Sequence, residues 1–283
     1  MATLSIEPNP SLPISLAYED EHLLVAAKPP RMVTSPGKGH EHDTLMNALF
    51  ATHGPRLQNI GRERDFGLLH RLDRETSGLV IVALTKSAYD ALRTQFETRT
   101  VRKFYWAIVR GLPDPPKGVI RKPIREREER AGAYSSRKAA AVSRGGGRHA
   151  GLGPAKPAIT AFRVVSAPDG AGSGGAAPAS VVECRPVTGR LHQIRVHMAM
   201  IGHPVLGDGD YADQAVAAAS PRLALHAHRI AFAHPSDGRA IDVATPFPRD
   251  LKTVLRRLGV KAPTHLAPSV DTGASSLPPG EAD

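Results

Sequence analysis

A single cysteine, Cys184, rules out an intramolecular disulfide and fits a reducing compartment. It lies in the apolar run Val181-Val182-Glu183-Cys184, which reads as core and not as the setting of a nucleophile. No stretch approaches the roughly 18 consecutive apolar residues of a membrane span. Met1–Pro13 lacks the charged and apolar regions of a secretion signal, so a cytoplasmic location is expected. There is no G-x-x-x-x-G-K-[ST] loop, no G-x-G-x-x-G and no G-x-S-x-G, and Gly145-Gly146-Gly147 is not followed by the lysine and hydroxyl residue of a phosphate loop. No nucleotide, flavin or nicotinamide cofactor is indicated. Histidines are present as His192, His197, His203, His226, His228 and His234, but no H-E-x-x-H or Cys-x-x-Cys accompanies them. His192 and His197 stand at i and i+5 and do not share a helix face; His226 and His228 share a strand face but lack a third ligand. No metal is expected, and the histidines are read as hydrogen-bonding groups that hold loops. Acids are short too: 27 Asp and Glu against 37 Lys and Arg give a net charge of +10. That balance points to a polyanionic partner, nucleic acid first.

What is present is enough to build a full core, since 41% of 283 residues are hydrophobic. The most informative stretch is His70-Arg71-Leu72-Asp73-Arg74-Glu75-Thr76-Ser77-Gly78, directly before the apolar run Leu79–Leu84. A carboxylate between two arginines at the mouth of a buried strand is either a turn acid paired with Arg71 or Arg74, or a catalytic acid.

Leu23–Ala27 reads as a strand ended by Pro29-Pro30, Thr44–Leu49 as a helix and Leu79–Leu84 as a strand, with Thr85 the N-cap of a helix that buries Ala88, Leu92 and Phe96. Lys103–Arg110 is apolar on both faces, with Tyr105, Ala107 and Val109 on one and Phe104, Trp106 and Ile108 on the other; it reads as an interior strand. Residues 127–157 are basic and Gly-rich, too polar for core, and are expected to form a flexible arm for RNA phosphates. Gly170–Ala177 reads as a loop. Both ends, 1–13 and 262–283, are expected to be disordered, leaving one domain over 14–261.

The second notable segment is Thr188-Gly189-Arg190-Leu191-His192-Gln193-Ile194-Arg195-Val196-His197. Leu191, Ile194, Met198 and Ile201 repeat at helical spacing, and Gly202 and Pro204 suit a helix end, so a helix is expected from about Gly189 or Arg190. Arg195 then falls in the first turns, near the positive end of the helix dipole, where it sharpens a site for a phosphate or for the carboxylate of Asp73. A basic protein without a cofactor signature, with one such Asp and one such Arg, is limited to redox-neutral chemistry carried by a single acid, base or nucleophilic carboxylate.

These segments resemble a known family. His70–Gly78 is similar to the H-R-L-D-x-x-T-S-G motif of the RluA family of pseudouridine synthases, and Gly189–His197 to its G-R-x-H-Q-I-R-V-H motif, continued by Gly202-His203-Pro204, Gly207-Asp208 and Tyr211. Tyr18–Val25 with Lys28-Pro29, Lys103–Gly111 and Leu225–Pro235 resemble further strands of the family, in order from about Ile14 to Leu258. Arg31 departs from the usual Gly and Leu191 from the usual Ser or Thr. The resemblance implies an α+β fold, with a single catalytic domain on a mixed, largely antiparallel central sheet flanked by helices. It implies isomerisation of uridine to pseudouridine in RNA, with no cofactor. Asp73 is then the essential carboxylate, Arg195 the arginine that pairs with it and Tyr105 the ring that stacks on the base. Arg71, Arg74, Arg190 and His192, with Arg137 and Lys138 of the basic stretch, are the candidate RNA contacts. The expected partner is 23S-type ribosomal or transfer RNA, met by a monomer with no protein partner. The competing reading is a non-catalytic RNA-binding or ribosome-assembly protein on the same scaffold.

Overall fold

The computed structural model describes residues 4–131, 134–141, 154–169 and 178–263. In chain order the elements are β1 (Ser15–Glu19), β2 (Leu23–Lys28), α1 (Leu45–Ile60), β3 (Ser77–Ala83), α2 (Lys86–Glu97), β4 (Arg102–Arg110), β5 (Lys117–Arg121), β6 (Ile124–Ala131), β7 (Tyr134–Ala141), β8 (Ile159–Ser166), β9 (Ala179–Pro186), α3 (Gln193–Met200), α4 (Gln214–Ala218), β10 (Leu225–Ala233), β11 (Ala240–Ala244) and α5 (Arg249–Arg257). They divide into two compact units, Met1–Trp106 with Ser220–Leu251, and Ala107–Ala219 with Lys252–Asp283. Among the described residues no helix is long and apolar enough to cross a membrane.

In the first unit the strands lie in the order β1-β2-β3-β10-β4, with β11 also on β10. β2 runs antiparallel to β1 and β3, whereas β3 and β10 are parallel. All seven positions of β3 are buried, as its unbroken apolar run requires. Leu23, Val25, Leu79 and Ile81 pack with Ala88, Tyr89 and Leu92 of α2 and with Ile230, Phe232, Ile241 and Val243. Each such Leu, Ile or Val contributes about 1.5–3 kcal/mol by leaving water. Thr85 caps α2 as expected, its side chain accepting from the Ala88 N–H at 3.2 Å.

Two expectations fail here. The helix anticipated over Thr44–Leu49 continues to Ile60 through Gly54 and Pro55, because Leu57 and Ile60 extend its buried side beyond those breakers. Residues 4–13, expected to be disordered, pack on α1 instead. Ser5 N–H donates to Gln58 Oε1 at 2.8 Å, Asn9 N–H to Asn47 O at 2.9 Å, and Asn47 Nδ2 to the Glu7 carbonyl at 2.8 Å. With Ile6 buried, these bonds offset the entropy of ordering the segment.

In the second unit the order is β4-β9-β8-β5, with β8 antiparallel to both neighbours. β4 passes from one unit into the next at Trp106, and Phe104–Val109 are all buried, as its two apolar faces predict. The stretch expected as a flexible arm includes the antiparallel β6–β7 hairpin, in which Arg127 stands opposite Lys138 and Glu128 opposite Arg137. Polar side chains do not preclude a backbone ladder, and this one is rooted in core. Ile124 and Ala139 are buried with Ala158 and Val196, and Ile124 and Lys156 exchange backbone bonds of 3.0 and 2.9 Å. Residues 142–153, the Gly170–Ala177 loop and 264–283 lie outside the described residues.

The parallel β3–β10 pair depends on Gly78. Its φ is +123°, and a Cβ there would sit 2.2 Å from the Ala227 carbonyl oxygen. Gly78→Ala is therefore expected to lower stability by about 4 kcal/mol or more, read as a loss of more than about 8 °C in Tm. A near-normal melting curve would show that the two strands can part without consequence.

Candidate active site

The Asp73 turn is built by fixing the backbone on both sides of it. Upstream, the His70 ring accepts the Ile81 N–H at Nε2 (3.1 Å) and lies against Phe96 at 5.2 Å. Burial, then the charge of Lys103, lowers its pKa to about 3, so the ring is neutral and Nε2 is free to accept. Thr34 Oγ1 accepts from Leu72 N–H (3.2 Å) and donates to Leu72 O (2.9 Å). Downstream, the Asp73 carbonyl accepts from Thr76 N–H at 3.0 Å, and Ser77 Oγ meets His226 Nδ1 at 2.9 Å across the β3–β10 register. The Asp73 side chain is left half-buried, between Arg71 and Arg74, which are exposed.

Lys28, at the end of β2, is the group that sequence reasoning missed. It is 1% exposed, and its ammonium donates to the carbonyls of Pro29 (3.0 Å), Met32 (2.7 Å) and Arg74 (3.3 Å). It thus closes the Pro29–Met32 turn and ties it to the residue after Asp73. Burial pulls its pKa down to about 7, against the opposing pull of Asp73 and Glu75. The available signal was a lysine ending a strand whose other residues are all apolar.

Tyr105 comes from β4, in the same unit as Asp73. It is buried, and burial followed by the Asp73 charge raises its pKa well above the usual phenol value, which keeps the hydroxyl protonated. The next side chain, Trp106, points to the other face and stacks on His228 at 3.8 Å. The turn that Lys28 closes carries Arg31 in the left-handed region, at φ +64°, where a side chain costs about 1–2 kcal/mol. Arg31 is exposed, and its Nη2 donates to Pro221 O at 3.0 Å.

The second unit holds the other candidates. α3 starts at Gln193, later than expected, and Gln193–Met198 are buried on every side, so there is no polar face for Arg195. Its carboxylate partners in the structure are Asp208 and Asp210. Nε and Nη2 form a fork on Asp208 (2.8 and 2.7 Å), and Nη2 reaches Asp210 at 2.6 Å, with the Tyr211 ring 4.9 Å away. The Gly202–Gly207 return brings two acids back to the helix, and an arginine fork prefers a bidentate carboxylate. Burial alone would lower the Arg195 pKa, but Asp208 and then Asp210 more than offset it and raise the value. His192 caps α3 at φ +52°, with Nδ1 2.8 Å from the Tyr211 hydroxyl, which accepts from Ala139 N–H at 3.0 Å. Arg190 Nε donates to Pro157 O at 3.1 Å. Arg190 and His192 therefore hold loops. Arg137 and Lys138 lie on β7, where their side chains fall outside the described residues. Some of the histidines serve as hydrogen-bonding groups: His197 Nδ1 meets Thr160 Oγ1 (2.9 Å) and Nε2 the Lys122 carbonyl (3.0 Å), and His203 Nδ1 meets the Arg110 carbonyl (2.9 Å), whereas His228 is held by its stack on Trp106.

Two outcomes follow from these buried charges. Arg195→Ala leaves the fully buried Asp208 carboxylate without its cation and is expected to cost about 3–5 kcal/mol in denaturant unfolding; a cost under about 1 kcal/mol would contradict the assignment. Lys28 has its folded pKa near 7, below the ordinary 10.5, so between those values the unfolded chain binds more protons and this group's contribution makes stability rise with pH. The stability difference between wild type and Lys28→Met should change across that window and be flat below it. A difference that is level from neutral to alkaline pH would show that Lys28 keeps an ordinary pKa.

Comparison with known proteins now adds to this geometry. A family profile described as RNA pseudouridylate synthase matches residues 22–200. A ribosomal large subunit pseudouridine synthase D of Zymomonas mobilis is 36% identical over 254 residues, covering 87% of this chain and 73% of that protein. A protein of the same name from Neisseria meningitidis is 36% identical over 269 residues, 92% of this chain and 64% of its own length. Among solved structures, the human RNA pseudouridylate synthase domain containing 1 superposes with a TM-score of 0.63 at 27% identity, over 98% of this chain and all of that one. With both long motifs in place on the Asp73 turn and on α3, the chain belongs to the RluA family of RNA pseudouridine synthases, isomerases that convert uridine to pseudouridine.

Proposed function

We propose that this chain isomerises uridine in large-subunit ribosomal RNA, the substrate named for its relatives, with the Asp73 carboxylate as the reacting group. The observation that carries the reading is the Asp73 turn: a half-buried carboxylate on a backbone pinned by Thr34, Lys28 and Thr76, beside a buried neutral tyrosine. In the reaction the bond from ribose C1′ to uracil N1 breaks, the ring turns, and C5 bonds to C1′. N1 gains the proton that C5 loses, so atoms balance without an oxidant or reductant. A single oriented carboxylate serves such a sequence, whether it attacks carbon or takes a proton.

The nucleotide must leave its stack to be reached, at a cost of a few kcal/mol. Phosphate contacts supply the offsetting energy, and we assign them to the exposed Arg71 and Arg74. Tyr105 presents its ring to the flipped base. Arg195 acts as a positioning residue within its own unit, through Asp208 and Asp210. The same reading places the protein in the cytoplasm as a monomer.

The test is pseudouridine mapping of ribosomal and transfer RNA from cells with and without the gene, rescued by wild type or by Asp73→Asn. Specific large-subunit sites should vanish and return only with wild type, and purified Asp73→Asn should be slowed by more than about 100-fold with RNA binding kept. Sites lost from transfer RNA instead would overturn the substrate, and full rescue by Asp73→Asn would overturn the role of the carboxylate.

A further inference from the structure

We infer that Arg31 is a phosphate-contacting residue for the RNA backbone at the edge of the Asp73 site; this rests on the reading of that site as one that takes RNA. Pro30 followed by a residue at φ +64° is the pattern of a type II turn, whose third position favours glycine because a side chain there is strained. An arginine occupies it instead. Nothing else in the turn explains that choice. The turn is already closed by Lys28, which holds the carbonyls at both its ends, Pro29 and Met32. The bond from Arg31 to Pro221 O uses one of the five guanidinium donors, and among the described residues no carboxylate meets Arg31. Asp250, the acid that meets Arg222 next to that contact, is already engaged, at 2.5 and 3.1 Å. An arginine held at a position that favours glycine, with most of its donors unused, points to a partner outside the chain.

The position of the turn says which partner. The ammonium that closes it also binds Arg74 O, and Thr34, three residues after Arg31, is bonded twice to Leu72. Arg31 is thus carried on a rigid loop stitched to the backbone on either side of Asp73, exposed, with most of its donors unused. A guanidinium so presented suits a phosphate oxygen, because its planar fork matches two oxygens and it arrives with its orientation already fixed. Flipping a nucleotide toward Asp73 brings its flanking phosphates past that loop.

Arg31→Gly separates this role from a structural one, because glycine removes the charge and relieves the backbone at once. The measurement is affinity for deproteinised large-subunit ribosomal RNA across a series of potassium chloride concentrations, with Tm, for wild type, Arg31→Gly and Arg31→Lys. Arg31→Gly should keep or raise Tm, bind several-fold more weakly, and lose about 0.7–0.9 from the slope of log affinity against log salt; Arg31→Lys should keep the slope. A slope unchanged in Arg31→Gly overturns the inference, as does a fall in Tm with affinity intact, which would make Arg31 a pin for Pro221. Turnover of the wild type is followed on the same RNA. If wild type binds with its full slope but makes no pseudouridine, the isomerase reading fails while the Arg31 comparison still decides; if wild type does not bind this RNA, the inference fails with it.

Discussion

One buried ammonium sets the geometry on which the Asp73 turn depends. Lys28 is enclosed at the end of a strand and makes three bonds, all to backbone carbonyls. Carbonyls compensate a desolvated cation without adding a second charge that itself needs a partner. The arrangement therefore fixes two loops with a single side chain, while the charge of Asp73 acts on the lysine through space. An arginine at position 28 would stay charged at every pH and present a fork too wide for the inside of a four-residue turn.

The Arg195 cluster solves the opposite problem. There the cation meets two carboxylates and an aromatic face, and Asp208 accepts two further backbone N–H groups, from Asp210 and Tyr211. Such a network is rigid because removing Arg195 or Asp208 strands a buried charge. Tyr211 extends it to the β6–β7 hairpin through Ala139 and to the start of α3 through His192, so one cluster fixes a helix, a return loop and the root of a hairpin. The two clusters differ in kind: Lys28 holds backbone and titrates near neutrality, while Arg195 holds side chains and keeps its proton.

Much of this was legible in the sequence. Unbroken apolar runs mark β3 and β4, the 3.6-residue spacing with Thr85 marks α2, and an Asp between arginines at a strand mouth marks the site. What was not legible has physical causes. The helix signal stopped at Gly54-Pro55 because local propensity penalises both residues, whereas Leu57 and Ile60 outweigh them by burial. The β6–β7 hairpin was hidden because its side chains are polar, and a backbone ladder leaves no mark on such a sequence. The segment 4–13 is ordered by Asn47, a residue forty positions away from its partner Glu7. Asp210 and Lys28 were visible as letters, but no spacing rule connects a lysine to the carbonyls of Met32 and Arg74.

The placement of charge also divides binding from chemistry. Arg71, Arg74 and Arg31 are exposed and stand on backbone that other groups hold: Thr34 and Thr76 for the first two, Lys28 for the third. In the proposed reading, phosphate contacts need no rearrangement of the turn that carries Asp73, and the energy they release goes to unstacking a nucleotide and not to ordering the protein. The buried Tyr105 hydroxyl stays neutral beside Asp73, adding no charge that would have to be offset when an anionic RNA approaches. A site that binds a polyanion while presenting a carboxylate has to keep the two apart in energy, and here the separation is structural: cations that meet solvent are mounted on the loops, and the groups that hold those loops are buried.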